Sequence, residues 1–235
     1  MSNTYFQFKQ FCIHHDRCAM KVGTDGVLVG AWAPLEAPTR ILDVGTGSGL
    51  IALMLAQRFR VAEVVGIDID EAAILQAREN AEASPFRERV HLIVSALQDV
   101  PFGAASFDSI VCNPPFFEEQ LLPPDENRSH ARHTTMLPFP TLVECTASLL
   151  RENGQFCVIL PSNAFDSFRQ LCFVNGLSLS HRCIVQTSLK RPVKRVLACF
   201  RKGEVRDVDE QTLTLNEAGG RSRQYALLTA DFYLD

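Results

Sequence analysis

From Arg40 onward, short runs rich in β-branched residues alternate with longer stretches whose apolar positions recur at helical spacing. Ile41–Val44, Val64–Ile69, Val90–Val94, Phe107–Cys112 and Phe156–Leu160 are compact, mostly apolar runs bounded by turn-forming residues, the pattern of strands covered on both faces. Leu50–Arg58, Glu71–Ala83 and Leu137–Leu150 read as helices. Ser162 is the expected N-cap of a further helix that stops before Gly176. Two last strands, Leu179–Gln186 and Arg195–Phe200, flank a basic loop. Strand–helix alternation of this kind predicts an α/β fold with a mostly parallel sheet and helices on both faces. Residues 1–39 precede the pattern and are expected to form an appendage or lid, with residues 40–235 as the main domain. Residues 201–224 are polar and turn-rich, and by composition the least ordered part.

Composition fits a folded domain, with 46% hydrophobic and 21% charged residues. No apolar run approaches the roughly 20 residues a membrane-spanning helix needs. Residues 1–10 are polar and aromatic and lack the apolar centre of a signal peptide, so the expected location is cytoplasmic. Eight cysteines contain no C-x-x-C pair and mostly sit among apolar neighbours. They read as reduced core thiols, and no metal is expected. The net charge of −4 excludes a surface that is basic throughout, so affinity for nucleic acid would need a local patch.

Two loops change the picture. The first strand runs into Asp43-Val-Gly45-Thr-Gly47-Ser-Gly49 and then a helix. Ligands of open α/β sheets bind where strand meets helix, and glycine permits positive φ and close backbone approach there. The spacing departs from the nicotinamide fingerprint, whose third glycine would fall at Leu50. A carboxylate at Asp43 would repel a pyrophosphate but suits the sulfonium and amino cations of S-adenosylmethionine. The second strand ends in Gly66-Ile-Asp68-Ile69-Asp70. Asp68 is placed to accept both hydroxyl hydrogens of a ribose, whereas Asp70 is the expected cap of the next helix.

The fourth strand runs straight into Asn113-Pro114-Pro115-Phe116. The prolines stiffen the turn. The Asn113 side-chain oxygen and the Pro114 carbonyl then form a rigid pair of acceptors that can hold both hydrogens of one amino group. Phe116 offers a face for a planar group to stack on. An exocyclic amine is a weak nucleophile because its lone pair is delocalised, and such a trap supplies position and charge stabilisation without a strong base. A planar glutamine amide fits the same trap.

Together the three motifs resemble class I methyltransferases, and Asn-Pro-Pro-aromatic resembles their amino-methyltransferase branch. Phe6-Gln-Phe-Lys-Gln-Phe11, His15-Asp-Arg-Cys-Ala-Met-Lys-Val-Gly-Thr-Asp-Gly26, Gly30-Ala-Trp-Ala33, Leu53-Met-Leu-Ala-Gln57 and the closing Ala226–Leu234 string are similar to the bacterial tRNA1(Val) adenine-N6-methyltransferase family. The resemblance runs from about residue 6 to the end. It implies a Rossmann-like, seven-stranded sheet with one antiparallel strand, no metal, and methylation of the adenine 3′ of the anticodon, position 37, in a valine tRNA. It also implies a cofactor site built from Lys21, Thr24, Asp43, Gly45, Gly47, Gly49, Asp68, Ile69, Leu97 and Asn113, with Asp25 close to Lys21 and Thr24 at the methionine end. Asn113, Pro114, Pro115 and Phe116 would hold the target base. Two positions depart from the family pattern. An acidic residue that commonly contacts the cofactor adenine is replaced by Ala96, leaving the Leu97 backbone, Gln98 or Asp99 to do so. Phe116 stands where Tyr is frequent.

A base in a folded loop must be splayed out to reach such a pocket. The expected backbone-holding cations are Arg128, His130, Arg132 and His133 after the proline turn, and Lys190, Arg191, Lys194 and Arg195 between the last strands, extended by Arg201 and Lys202. The partner is expected to be tRNA, without membrane or obligate protein partner, and the chain a monomer. Two rival readings are a glutamine methyltransferase acting on a release factor and a non-catalytic RNA-binding protein. The first usually carries a separate helical N-terminal domain, for which residues 1–39 are too short. The intact Asn113–Phe116 element argues against the second.

Overall fold

The computed structural model describes residues 3–115 and 137–234. Phe116, Arg128, His130, Arg132 and His133 lie outside the described residues. The central sheet is built from β3 (Arg40–Val44), β4 (Glu63–Asp68), β5 (Val90–Val94), β6 (Phe107–Cys112), β7 (Leu150–Pro161), β8 (Leu177–Gln186), β9 (Arg195–Lys202) and β10 (Asp209–Thr214). Its spatial order is β10-β8-β9-β7-β6-β3-β4-β5, with β9 antiparallel to both neighbours and the other pairings parallel. A hairpin, β1 (Tyr5–Gln7) and β2 (Cys12–His14), and a second, β11 (Asn216–Glu217) and β12 (Gly220–Arg221), stand apart from it.

Period-two side-chain alternation assigns each strand residue to one of two cores. Cys157 and Ile159 of β7 and Leu197 and Cys199 of β9 enter the first core; Phe156, Val158, Leu160, Val196, Ala198 and Phe200 enter the second. The first core packs under α1 (Thr24–Trp32), α2 (Leu50–Arg58), α3 (Glu71–Glu82), the β1–β2 hairpin and the C-terminal Tyr225 and Phe232. The second packs under α4 (Phe139–Leu149) and α5 (Phe165–Val174). Five of the eight cysteines are buried, as expected of core thiols. Among the described residues no helix is long and apolar enough to cross a membrane.

Four expectations need correction. Among the described residues the sheet has eight strands rather than seven, because Asp209–Thr214 adds in parallel to β8. Only Leu213 and Thr214 of that strand are buried, so its sequence carries too little apolar alternation to announce an edge strand. The stretch thought least ordered therefore contains β10, β11, β12 and the start of α6 (Arg223–Leu228). Ser162 does not cap a helix. Its hydroxyl donates to Val193 O at 2.9 Å, and a 3-10 turn leads into α5. Arg201 and Lys202 do not extend the basic loop. They lie six and seven residues along β9 from Arg195, about 20 Å away at ~3.4 Å per residue, at the opposite end of the strand. There Arg201 pairs with Glu36, and Lys202 Nζ donates to Ala147 O and Leu150 O at 2.7 and 2.9 Å.

Candidate active site

The chain order reverses between β3 and β6: β4 and β5 extend one side of β3, whereas β6 returns to its other flank. Such a switch point leaves a crevice at the C-terminal ends of the two strands. The glycine loop leaves β3 and Asn113 leaves β6, so the topology brings together two motifs far apart in sequence. They face a cavity of about 470 Å³, lined also by Met20–Gly26, Leu50, Ile51 and Arg195.

Gly45, Gly47 and Gly49 have φ of 69°, 52° and 82°, the left-handed region where a side chain is disfavoured. A Cβ at Gly45 or Gly47 would meet nothing within 4 Å, so the loop borders open space wide enough for a ligand to lie against bare backbone. Its shape is held by the two strand-end carboxylates. Asp43 is fully buried and accepts from Thr46 Oγ1 at 2.6 Å and from Ala52 N at 3.1 Å, clasping the loop to the first turn of α2. Its other oxygen, Oδ1, has no hydrogen-bond partner among the described residues. Burial pushes the Asp43 carboxyl up to about 7, against the lowering effect of those two bonds, and the Asp68 carboxylate adds to the rise. A buried carboxylate with one unpartnered oxygen is an environment that a cation would stabilise.

Asp68 accepts from Gly47 N and from Asp70 N, both at 3.0 Å. Each of its oxygens keeps a further lone pair, and the residue is half-buried at the end of β4. Asp70 caps α3, accepting from Ala72 N and Ala73 N as expected. Ile69 is 51% exposed. Leu97 buries its side chain in the second core, leaving only its backbone for any contact at the end of β5. Ala96 precedes it in extended conformation.

Asn113 is half-buried at the cavity, Pro114 beside it is buried, and Pro115 is half-buried. α1 begins against this turn. A Cβ at Gly26 would stand 3.0 Å from Leu50 Cδ2, a tight approach that would push that side chain aside, and 3.9 Å from Asn113 Nδ2, an ordinary contact, so α1 lies close against α2 at this point. Lys21, Thr24 and Asp25 line the same cavity.

The basic loop 187–194 joins β8 to β9 at this end of the sheet's strands. Lys190, Arg191 and Lys194 are exposed, and the loop is tied to the end of β7 by Ser162 N donating to Lys194 O at 3.1 Å. Arg195 turns into the cavity and pairs with Asp25 at 2.8 Å. Sequence reasoning did not single out Met20, Val22, Thr46, Ser48 or Ile51 of the lining, which carry no chemical signature beyond adjacency to the motifs.

The switch point, the glycine loop with its two carboxylates and the single antiparallel strand beside β7 define the Rossmann-like class I methyltransferases. A methyltransferase-domain family matches residues 41–137. The fold is shared with a predicted O-methyltransferase from Agrobacterium tumefaciens, at a TM-score of 0.69 and 17% identity over 88% of this chain and 96% of that one. It is shared too with a geranyl diphosphate C-methyltransferase from Streptomyces coelicolor A3(2), at a TM-score of 0.55 and 15% identity over 74% and 75%.

Within that class, the chain belongs to the tRNA1(Val) (adenine(37)-N6)-methyltransferase family. It is 43% identical over 236 residues to a protein of that name from Bacteroides fragilis, covering 100% of this chain and 99% of the relative. The Phocaeicola vulgatus protein of the same name is 44% identical over 238 residues, covering all of both chains. The Pectobacterium carotovorum one is 40% identical over 97% of this chain and 93% of its own.

Proposed function

We propose that this protein transfers a methyl group from S-adenosylmethionine to the exocyclic N6 of adenine 37 in a valine tRNA. The observation that carries the reading is that Asn113 and Pro114 open onto the cavity bordered by the glycine loop. The name shared by the whole-length relatives supports adenine in tRNA as the acceptor over a glutamine amide, which the same trap would hold.

S-adenosylmethionine supplies an electrophilic methyl group on a sulfonium. Asp68 holds the ribose hydroxyls, the bare backbone at Gly45 and Gly47 lets the ligand lie close, and the buried Asp43 carboxylate stabilises positive charge. Lys21, Thr24 and Asp25 border the methionine end. Asn113 Oδ1 and Pro114 O accept the two amino hydrogens of the target base and draw the nitrogen lone pair out of conjugation with the ring. Lys190, Arg191 and Lys194 hold the RNA backbone at the rim, while residues 1–39 act as the appendage that walls the cofactor side.

Incubation with methyl-labelled S-adenosylmethionine and tRNA lacking N6-methyladenine tests the reading. Label is expected in the adenine 3′ of the valine anticodon. Absence of label from adenine in every tRNA would end the proposal, and label in a release factor instead would restore the glutamine reading.

A further inference from the structure

The segment between β2 and α1, residues 15–23, has no regular secondary structure, yet its second half, from Met20, walls the cavity. Such a segment needs something to hold it. Two amides on α3 stand out. Gln76 and Asn80 are each 1% exposed, one helical turn apart, on the face that also presents Ala73, Ala77 and Ala81. Each makes three side-chain hydrogen bonds, and every partner except one lies in the segment or its entry. Gln76 Oε1 accepts from Arg17 N at 2.9 Å and from Cys18 Sγ at 3.4 Å, and Gln76 Nε2 donates to Asp16 Oδ1 at 2.8 Å. Asn80 Oδ1 accepts from His14 N at 3.0 Å, and Asn80 Nδ2 donates to His14 O at 2.9 Å. Its remaining bond, also 2.9 Å, goes to Ser48 O inside the glycine loop.

α3 follows directly on Asp68 and Asp70, so its register is set by the strand end that carries the ribose acceptor. The far end of the segment is secured by the Asp25–Arg195 pair. Buried amides cost free energy when unpaired and fix a single arrangement when all their bonds are made.

We propose that Gln76 and Asn80 are positioning residues that fasten residues 14–18 to α3 and the glycine loop, and so hold Met20–Gly26 as one wall of the cofactor site. The proposal rests on the cofactor reading above. It assigns part of the cofactor affinity to two side chains that do not line the cavity.

Cys18 reports on the fastening. Burial, with the Asp70 and Asp68 carboxylates nearby, pushes its thiol up to about 11. At neutral pH it then holds much less thiolate than an ordinary cysteine and alkylates slowly while the segment is in place.

The experiment measures S-adenosylhomocysteine affinity by calorimetry and Cys18 alkylation by peptide mass mapping, on the full chain. For Gln76→Leu, the dissociation constant is expected to rise about tenfold or more and Cys18 to alkylate at least about tenfold faster, from release of the hydrogen bonds that hold the segment. Phe168→Leu, in the second core on the other face of the sheet, is the control for a general loss of stability and should leave both readouts within about twofold. Equal affinities in wild type and Gln76→Leu would overturn the assignment while leaving the cofactor reading intact. Should Gln76→Leu fail to fold, the size-matched Asn80→Asp and the wild-type protein suffice. S-adenosylhomocysteine should slow Cys18 alkylation in wild type, and less so in Asn80→Asp. No protection in wild type despite measured binding would refute the proposal. No binding of S-adenosylhomocysteine by wild type at all would remove the cofactor reading together with it.

Discussion

The two ends of the central strands each carry a cavity, and the strand carboxylates beside them differ in how far the described residues satisfy them. At the end away from the glycine loop, a cavity of about 310 Å³ is lined by Glu36, Asp108, Arg151 and Arg201 among others. Asp108 there accepts from Thr39 N, Thr39 Oγ1 and Arg40 N with one oxygen and from Arg151 with the other, at 2.6 to 2.9 Å. Glu36 is taken by Arg201. At the glycine-loop end, Asp25 and Arg195 of the lining also pair. Asp43, just beneath the loop, is more deeply buried than Asp108, yet one of its oxygens has no partner among the described residues, and the neighbouring backbone borders open space. Carboxylates closed by their own donors hold a fold together; a buried carboxyl with an open oxygen is an environment that a bound cation would stabilise.

The contrast can be broken most severely at Asn113. Asn113→Ala removes one of the two proposed acceptors and is expected to lower turnover by about a thousandfold while cofactor affinity changes by less than about threefold. Comparable turnover in single-turnover assays would show that the amine is held elsewhere. At the self-satisfied end the opposite split is expected. Asp108→Ala strips partners from Thr39, Arg40 and Arg151 and should cost about 2 kcal/mol of stability in denaturant titrations, with cofactor affinity unmoved. An affinity change there would mean that the two ends communicate.

A smaller effect is expected at the rim. Lys190→Gln with Arg191→Gln should raise the KM for tRNA about tenfold at moderate salt and flatten its salt dependence by about one to two in log–log slope, with kcat retained. Unchanged salt dependence would release the loop from RNA contact.

The mildest test uses pH. Burial holds the folded Asp43 carboxyl up at about 7, above its ordinary value near 4 in the unfolded chain. Between those values the unfolded chain surrenders a proton that the folded chain keeps, so this group's contribution to stability falls as pH rises from about 4 to about 7. Asp43→Asn keeps an acceptor for Thr46 and Ala52 and should lessen that decline in the melting temperature of the unliganded protein. Melting curves that shift in parallel with pH in both proteins would contradict the buried-charge account.

Much of the framework was legible because each signal was local. β5, β6 and α2 fall on the residues that period and turn chemistry mark, and the Asp70 cap follows from an acidic residue just before an apolar-periodic stretch. The edge strand β10 was illegible because its pairing rests on backbone bonds to β8 rather than on its own apolar residues. Arg195 and Arg201 illustrate the same limit within one strand. Both looked like members of a basic patch, yet the strand carries one to the cavity and the other to its far end.

By itself the sequence determined the alternation of strands and helices, the positive-φ glycine loop, the two strand-end carboxylates and the stiff Asn113-Pro114-Pro115 turn, since each depends on residues a few positions apart. Only the tertiary structure decided that β6 returns beside β3, and so places Asn113 across one cavity from Gly45 and Gly47. It alone turned two ordinary helical amides, Gln76 and Asn80, into anchors for a segment some sixty residues earlier. The reason is physical: side-chain hydrogen bonds and sheet order are set by which surfaces must be buried together, and that is a property of the whole chain.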